Sequence, residues 1–266
     1  MAMKRKLILT LIFLIFLSVA IFSGYKIVSI LAEYRSGENT YSEVQQYVHL
    51  PAVEAPTEKA TKPTAVPEET EAATEPEEEP IQFPEVDFDA LLEVNEDVVA
   101  WVYIEDTNIN YPVVRGDDNR HYLSTMIDGS YNGAGSIFMD YRNQPDLSDP
   151  HTILYGHNMK NKTMFAHILN YKDQAYYEAH PVGMLMTPDG NYQFEVVAAY
   201  VASLADPAWQ LEFFSEEDTL QWLQDAMNRS GFTTNAVPEL GDRILTLSTC
   251  SYEYNDARFV LVGILK

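Results

Sequence analysis

The chain has 266 residues, a length that fits one or two domains. Its 40 acidic residues outnumber its 17 basic ones and give a formal net charge of −23, so nucleic acid is an unfavourable partner. The single cysteine excludes an intrachain disulfide and any metal cluster that needs several cysteines. The glycine-rich phosphate-binding patterns G-x-x-x-x-G-K-[ST] and G-x-G-x-x-G are missing, and we expect neither a cofactor nor a metal.

The N-terminus has the pattern of a membrane anchor. A basic tail, residues 1–6, precedes an uncharged run of 19 residues that begins at Leu7. At ~1.5 Å per residue such a run is roughly 28 Å long, about the thickness of a bilayer core. Apolar positions continue beyond it, so we predict a transmembrane helix over 7–31, with a cytoplasmic N-terminus and an extracellular remainder. A cleaved signal peptide is the alternative; we favour an uncleaved anchor because the apolar run extends past Ala20.

Residues 32–83 are predicted to form a juxtamembrane segment and an acidic, proline-rich linker. Scattered apolar positions over 29–50 indicate a helix only weakly. Seven of the 14 prolines lie from Pro51 to Pro84, among Glu, Thr and Ala. Such a composition buries too little apolar surface to offset the entropy of ordering, so a disordered stalk is expected. A stalk that holds a domain away from the membrane and a featureless linker are both compatible with it.

From residue 84 to 266 the pattern is that of one folded domain, mostly β with peripheral helices. Short segments rich in β-branched and aromatic residues, bounded by Asn, Asp, Gly or Pro, are predicted as strands at 101–104, 109–114, 136–139, 152–155, 182–187, 192–201, 243–249 and 258–265. About eight strands with few helices between them favour a closed or nearly closed β-barrel over a βαβ sheet.

Three segments of this domain have helical signals, at 87–92, 164–171 and 216–229. Acidic residues occupy the first turn of the first segment, where they stabilise a helix N-terminus. Ser215 and Asp218 form a start that resembles a capping box for the last segment. Asn95 is expected to cap a further turn of helix that continues into Val98 and Val99.

Cys250 is the only thiol, and it lies where the predicted strand 243–249 ends. A lone cysteine is usually an inert buried residue, but strand ends are common places for reactive groups. Arg258 begins the next strand after a seven-residue loop, so antiparallel pairing would make the two residues neighbours. A guanidinium there favours a thiolate and can donate hydrogen bonds to an oxyanion. An ion pair of Arg258 with Glu253 or Asp256 is the structural alternative.

A thiol nucleophile generally works with a histidine. The candidates are His49, His121, His151, His157, His167 and His180. His157 is favoured because it follows an apolar strand and Gly156, where that strand becomes a loop. His49 precedes the linker, His167 lies in a helical segment and His180 precedes a proline, so these three fit structural or surface roles better.

The sequence around these residues resembles that of the sortase family, and of class B most. The similarity is carried by Thr246-Leu247-Ser248-Thr249-Cys250, by Arg258 eight positions later and by Leu154-Tyr155-Gly156-His157-Asn158. Supporting segments are Val98–Trp101, Asn110–Val114, Asp118-Asn119 with Tyr122-Leu123, and Gly135–Asp140. The resemblance covers about residues 85–266. The helix predicted at 216–229 also fits class B, since class A lacks one there.

The resemblance implies an eight-stranded β-barrel and a cysteine transpeptidase on the surface of a Gram-positive bacterium. Such enzymes cleave a C-terminal sorting signal of a secreted protein through a thioester and transfer the acyl group to an amine of the cell wall or of a pilin. Carried over by motif, Cys250 is the nucleophile, His157 the acid and base, and Arg258 the cation that binds substrate and faces the oxyanion. Four further positions match residues that line the signal-peptide groove: Asn119, Leu123, Tyr155 and Ser248.

One position departs from the family pattern. Some class B members carry an acidic residue two positions after the cysteine, where this chain has Tyr252, which puts an acidic third catalytic member in doubt.

Three other functions stay open beside anchoring of proteins to the cell wall. They are a pilus polymerase with a pilin lysine as acceptor, a cysteine hydrolase with water as acceptor, and a surface binding module without catalysis.

Overall fold

The computed structural model describes residues 2–51 and 81–266, so most of the stretch predicted as a disordered stalk lies outside the described residues. The α-helices are α1 (Ala2–Val44), α2 (Phe88–Val94), α3 (Gln174–Ala179) and α4 (Glu216–Asn228). Short 3-10 helices cover Gln45–Tyr47, His121–Leu123, Phe165–Lys172 and Pro207–Trp209. The strands are β1 (Val48–His49), β2 (Glu85–Val86), β3 (Val98–Tyr103), β4 (Asn110–Val114), β5 (Ile137–Met139), β6 (His151–Tyr155), β7 (Val182–Thr187), β8 (Gly190–Ala202), β9 (Arg243–Cys250) and β10 (Arg258–Leu265).

Eight strands, β3 to β10, form a closed barrel in the order β10-β8-β7-β3-β4-β5-β6-β9, which the pairing of β9 with β10 completes. The β4–β5 and β6–β9 pairs are parallel, and the other six pairs are antiparallel. The closed eight-stranded barrel that was predicted is therefore confirmed. The predicted strands recur with ends that shift by a few residues, and the turn at Pro188 to Gly190 joins the β7–β8 hairpin.

Strand β10 shows how the period of two builds two hydrophobic clusters. Phe259 and Leu261 belong to the main core cluster, together with Leu245 and Leu247 of β9. The intervening residues Val260, Val262 and Ile264 belong to a second cluster, which includes residues of α4. Successive side chains of a strand point to opposite faces, so β10 is buried on both sides.

Helix α4 confirms the helix predicted at 216–229. The Ser215 hydroxyl accepts a hydrogen bond from the Asp218 amide at 3.3 Å and caps its N-terminus. Trp222, Leu223 and Ala226 form its buried face against β8, β9 and β10. Burial of a large apolar side chain stabilises a fold by about 1.5–3 kcal/mol, so Trp222 and Leu223 attach this helix firmly.

The turn of helix expected after Asn95 is wrong. Asn95 ends α2, and Val98 already begins β3, where it pairs with Val114. The Asn95 side chain accepts from the Asp97 amide at 2.9 Å and donates to the Ile127 carbonyl at 2.9 Å. The Asn95 side chain therefore stabilises a tight turn and does not cap a helix. The β-branched residues that follow are extended because Val98 pairs with Val114 in the barrel.

The segment predicted as a helix at 164–171 is a 3-10 helix, Phe165–Lys172. Its fully buried side chains include Phe165, Ile168 and Tyr171, which recur at intervals of three residues. A 3-10 helix has three residues per turn, so this spacing aligns the three side chains on one face toward the barrel.

Helix α1 runs without a break from the apolar N-terminal segment to the barrel, and it is long and apolar enough to cross a membrane. Its described side chains are exposed up to residue 32, and contacts with the barrel begin at Glu33. Tyr41 and Val44 are buried in the main core. The described part of segment 32–83 thus packs on the barrel, and the boundaries 1–6, 7–31, 32–83 and 84–266 stay predictions.

Candidate active site

A groove of about 420 Å³ lies where β6 and β9 end and β10 begins. It is lined by all seven site residues named from the sequence, namely Asn119, Leu123, Tyr155, His157, Ser248, Cys250 and Arg258. Five further residues complete it: Phe138, Gly156, Leu204, Trp209 and Thr249. The structure therefore brings the predicted residues together, while their individual roles stay predictions.

Cys250 and Arg258 are direct partners in the antiparallel register of β9 and β10. Opposite residues of such a pair project from the same face of the sheet, so the thiol and the guanidinium are neighbours. Arg258 donates to the Ala257 carbonyl at 3.1 Å and takes part in none of the ion pairs among the described residues. Glu253 is paired with Lys172 instead. The alternative of an Arg258 ion pair with the loop carboxylates is thus wrong.

His157 comes next to Cys250 because of the parallel pairing of β6 with β9. Tyr155 is the register partner of Ser248, and each chain continues for two residues to His157 and Cys250. The continuation is tied by three hydrogen bonds: Gly156 N to Ser248 O at 3.1 Å, Thr249 Oγ1 to Gly156 O at 2.6 Å, and Asn158 Nδ2 to Cys250 O at 3.0 Å. His157 and Cys250 therefore stand on two segments that are hydrogen-bonded side by side.

The His157 ring is oriented by the backbone of the 3-10 helix His121–Leu123. Its Nε2 lies 2.8 Å from the Leu123 carbonyl oxygen. A carbonyl only accepts, so Nε2 carries the proton in this contact, and Nδ1 is the basic nitrogen of the neutral ring. Gly156 leaves no room for a side chain here, because a Cβ atom would lie 2.4 Å from Ile137 Cδ1 and 2.8 Å from the Phe165 ring.

One wall of the groove is held by a buried carboxylate, Asp140, that the sequence did not reveal as important. Asp140 Oδ2 accepts from Asn119 Nδ2 at 2.9 Å and from the Tyr155 hydroxyl at 3.0 Å. Arg142 neutralises it through two hydrogen bonds of 2.8 Å. Burial alone would raise the pKa of Asp140, but the bonds from Arg142, Asn119 and Tyr155 lower it. The carboxylate stays ionised and holds both groove side chains in place.

The opposite wall comes from the connection between β8 and α4, residues 203–215, which supplies Leu204 and Trp209. Trp209 Nε1 donates to the Ser248 hydroxyl at 3.3 Å. His151 anchors this connection from the core, since its Nδ1 lies 2.7 Å from the Gln210 carbonyl and its Nε2 lies 2.8 Å from Thr246 Oγ1. Burial lowers the pKa of His151 to about 4, so this candidate base is a neutral structural residue.

No carboxylate is among the groove-lining residues of the described chain. Tyr252, at the position where some class B members have an acidic residue, is 75% exposed and lies outside the lining. Of the other histidines, His167 accepts from the Asn108 amide and His180 contacts the Glu105 carbonyl, both away from the groove. The lining therefore offers one thiol, one imidazole and one guanidinium for chemistry.

Comparison with known proteins agrees with this geometry, since the sortase domain model matches residues 102–266. The chain belongs to the sortase family. A sortase B from Listeria monocytogenes is 38% identical over 175 residues, which span 65% of this chain and 71% of that protein. A sortase B from Staphylococcus aureus is 28% identical over 264 residues, 99% of this chain and 98% of that protein.

A solved structure described as a Staphylococcus aureus sortase B–substrate complex is similar too, with a TM-score of 0.64 and 34% identity. The match covers 67% of this chain and 84% of that one. These relatives place the sortase in class B, as its sequence indicated. Sortases are cysteine transpeptidases, so the chain is an enzyme of this kind.

Proposed function

We propose that this sortase cleaves the C-terminal sorting signal of secreted proteins and transfers the acyl group to an amine of the cell wall. The observation that carries the proposal is the convergence of three groups in one groove. Cys250 and Arg258 are register partners, and His157 stands on the segment bonded beside Cys250. We assign Cys250 as the nucleophile, His157 as the acid and base, and Arg258 as the oxyanion-side cation.

The first half-reaction forms a thioester. The Cys250 thiolate attacks the scissile carbonyl carbon, and the charge that develops on the carbonyl oxygen is stabilised by the Arg258 guanidinium. Collapse of this intermediate breaks the C–N bond, and protonated His157 donates its proton to the leaving amine. The signal's C-terminal fragment departs, and the acyl group remains on Sγ.

The second half-reaction returns the enzyme to its starting state. An acceptor amine attacks the thioester carbon and gives a proton to neutral His157. Breakage of the C–S bond then releases the new amide and regenerates the Cys250 thiolate. Two half-reactions with a covalent intermediate predict ping-pong kinetics. General acid–base help of this kind is worth typically ~10²–10⁴-fold in rate.

The two walls of the groove support the binding of an extended peptide. Asn119 and Tyr155 are held by Asp140 on one side, and Leu204 and Trp209 form the apolar opposite side. The Staphylococcus aureus relative, whose structure is described as a complex with substrate, supports a sorting signal as the ligand. We propose that Asn119, Leu123, Tyr155 and Ser248 contact that signal.

The position of α1 supports a membrane-anchored enzyme. Its apolar part projects away from the barrel with exposed side chains, as a bilayer-spanning segment would. The basic residues at positions 4–6 favour a cytoplasmic N-terminus by the positive-inside rule. The catalytic domain then lies outside the cell, where secreted proteins and cell-wall amines are available.

The experiment uses the full chain in phospholipid vesicles, incubated with a library of sorting-signal peptides with and without a triglycine amine acceptor. Mass spectrometry should detect an acyl adduct on Cys250 and then an amine-linked product. Cys250→Ala is the control and should form neither. Acyl adduct on the Cys250→Ala chain would contradict the assigned nucleophile.

The other outcomes separate the remaining functions. Cleavage that yields only the hydrolysed acid in the presence of triglycine would favour a hydrolase, and transfer only to a lysine-bearing pilin peptide would favour a pilus polymerase. A folded chain with a titratable thiol that forms no adduct with any peptide would favour a binding module.

A further inference from the structure

Three glutamates of α1, Glu33, Glu38 and Glu43, differ in their relation to the barrel. Glu38 Oε1 accepts from Asn161 Nδ2 at 2.9 Å, and Glu33 Oε1 accepts from the Gly133 amide at 2.8 Å. The Glu43 side chain is exposed and makes no hydrogen bond with the other described residues. Two of the three glutamates therefore bind loops of the barrel: Glu38 binds the loop of Asn161, and Glu33 binds the loop of Gly133.

The first of these loops carries His157. Residues 157–165 form a closed loop, because the Phe165 amide donates to the His157 carbonyl at 3.0 Å. Asn158 at its start donates to the Cys250 carbonyl, and Asn161 at its tip donates to Glu38. One short loop thus connects α1 with the backbone of the nucleophile.

The second loop supports the carbonyl that orients the His157 ring. The Tyr41 hydroxyl donates to the Gly135 carbonyl at 2.6 Å. Gly135 has a φ of 56° and packs so closely that a Cβ atom would lie 2.7 Å from the Leu123 carbonyl oxygen. That oxygen is the partner of His157 Nε2. A shift of α1 would therefore be transmitted through Gly135 to the histidine.

The packing between α1 and these loops is incomplete. A cavity of about 310 Å³ lies between them, lined by Glu38, Tyr41, Met159 and Asn161 among others. A well-packed interface would hold the loops by shape alone. Across this opening the contact between α1 and the loop of His157 is made by a discrete hydrogen bond, from Asn161 to Glu38.

We propose that the membrane-proximal part of α1, residues 33–44, is a positioning element for His157, with Glu38 and Tyr41 as its main positioning residues. The inference rests on the proposed role of His157. Two routes lead from α1 to His157. One is the hydrogen bond of Glu38 to the loop that carries His157, and the other is the hydrogen bond of Tyr41 to Gly135, which packs against the Leu123 carbonyl bonded to the ring. Small misplacements of catalytic groups lower rates strongly, so undocking of α1 should weaken the coupling of His157 with Cys250.

The single cysteine permits a test that needs no substrate. Iodoacetamide can alkylate the thiolate only at Cys250, and a neighbouring imidazolium or guanidinium favours that thiolate. The rate of alkylation across pH 5–10 therefore reports the coupling of His157 with Cys250. The full chain is used in phospholipid vesicles, and the variants are Glu38→Ala, Tyr41→Phe, His157→Ala and the matched control Glu43→Ala.

We expect Glu38→Ala and Tyr41→Phe to slow alkylation at pH 7 by at least threefold and to shift the pH profile toward that of His157→Ala. Glu43→Ala, which removes the same charge from the same helix, should match the parent chain. Glu38→Gln should also match it, because the amide oxygen still accepts from Asn161. Melting temperatures within a few degrees of the parent would show that the fold is kept.

Two results would overturn the proposal in distinguishable ways. If His157→Ala slows alkylation while Glu38→Ala and Tyr41→Phe behave like Glu43→Ala, α1 does not position the histidine and the catalytic assignment stands. If His157→Ala itself matches the parent chain, the role of His157 in the proposed function fails, and the positioning inference fails with it.

Discussion

The two halves of the groove are held in place by different means. On the strand half, Cys250 and Arg258 are fixed by the register of β9 and β10, a ladder of eight residue pairs. On the loop half, His157 follows the end of β6 and is held by side-chain contacts and by the Leu123 carbonyl. Sheet closure thus suffices to place Cys250 and Arg258, whereas the position of His157 depends on elements that are distant in sequence.

Replacement of Arg258 tests the strand half and should have the largest effect. Arg258→Ala removes a cation whose position is fixed by register, and we expect kcat for thioester formation to fall by ~10²–10³-fold, as after loss of an oxyanion-hole donor. Arg258→Lys keeps the charge but loses the planar fork, and should recover only part of the rate. The measurement is single-turnover acylation. An Arg258→Ala rate within threefold of the parent would remove Arg258 from the mechanism.

His151 tests how the strand half is tied to the wall that carries Trp209. The folded-state pKa of about 4 lies below the ordinary value of 6.5. As the pH falls below 6.5, His151 takes up a proton in the unfolded chain while it stays neutral in the folded chain. The free energy of unfolding therefore has the full contribution of His151 above pH 6.5 and loses it as the pH falls toward 4. The loss should amount to about 3 kcal/mol by linkage.

Urea unfolding at pH 7.5 and at pH 4 measures this loss for the parent chain and for His151→Asn. Carboxylates that titrate near pH 4 affect both chains alike, so the difference between the two chains isolates the histidine. Equal losses of stability in both chains would show that His151 does not titrate in this range.

Gly156→Ala tests the loop half. The added methyl group would lie 2.4 Å from Ile137 Cδ1, so residues next to His157 must shift. Overpacking of this kind costs about 1–3 kcal/mol, and we expect a lower melting temperature together with slower acylation. Gly190→Ala is the matched control, since its Cβ atom would meet only the Tyr192 hydroxyl at 3.9 Å. Unchanged acylation by Gly156→Ala would mean that the loop half tolerates displacement.

Tyr252→Phe should have the smallest effect. Its side chain is exposed and lies outside the groove lining, so neither half of the groove depends on its hydroxyl. We expect kcat/KM to stay within about twofold of the parent, as is usual for surface positions. A tenfold loss in a peptide-cleavage assay would instead place the β9–β10 loop in contact with substrate.

Where local chemistry decides structure, the sequence was a sufficient guide. The period of two in β9 and β10, with a short loop between them, predicted the hairpin that makes Cys250 and Arg258 partners. Ser215 and the amphipathic pattern after it predicted α4. The error at Asn95 shows the limit of this reasoning, because a capping residue serves a helix start and a tight turn equally well, and pairing of Val98 with β4 selected the turn.

Closure of the barrel decided everything that joins residues distant along the chain. No pattern in the sequence marked Asp140 as part of the site, yet its carboxylate accepts hydrogen bonds from Asn119 and Tyr155 and fixes both side chains at the groove. Burial likewise makes His151 a neutral structural residue, whereas His157, which the sequence already favoured, lines the groove.

The sequence by itself determined the anchor pattern, the strands, the Cys250–Arg258 hairpin and the family. Each of these depends on local periodicity, hydropathy or a short motif. Only the tertiary structure showed that Asp140 supports the side chains of the groove and that α1 contacts the loop of His157. Glu38 and Asn161 are 123 residues apart, and no local propensity encodes such a contact. It forms because the packing of α1 on the folded barrel brings the two side chains within hydrogen-bonding distance.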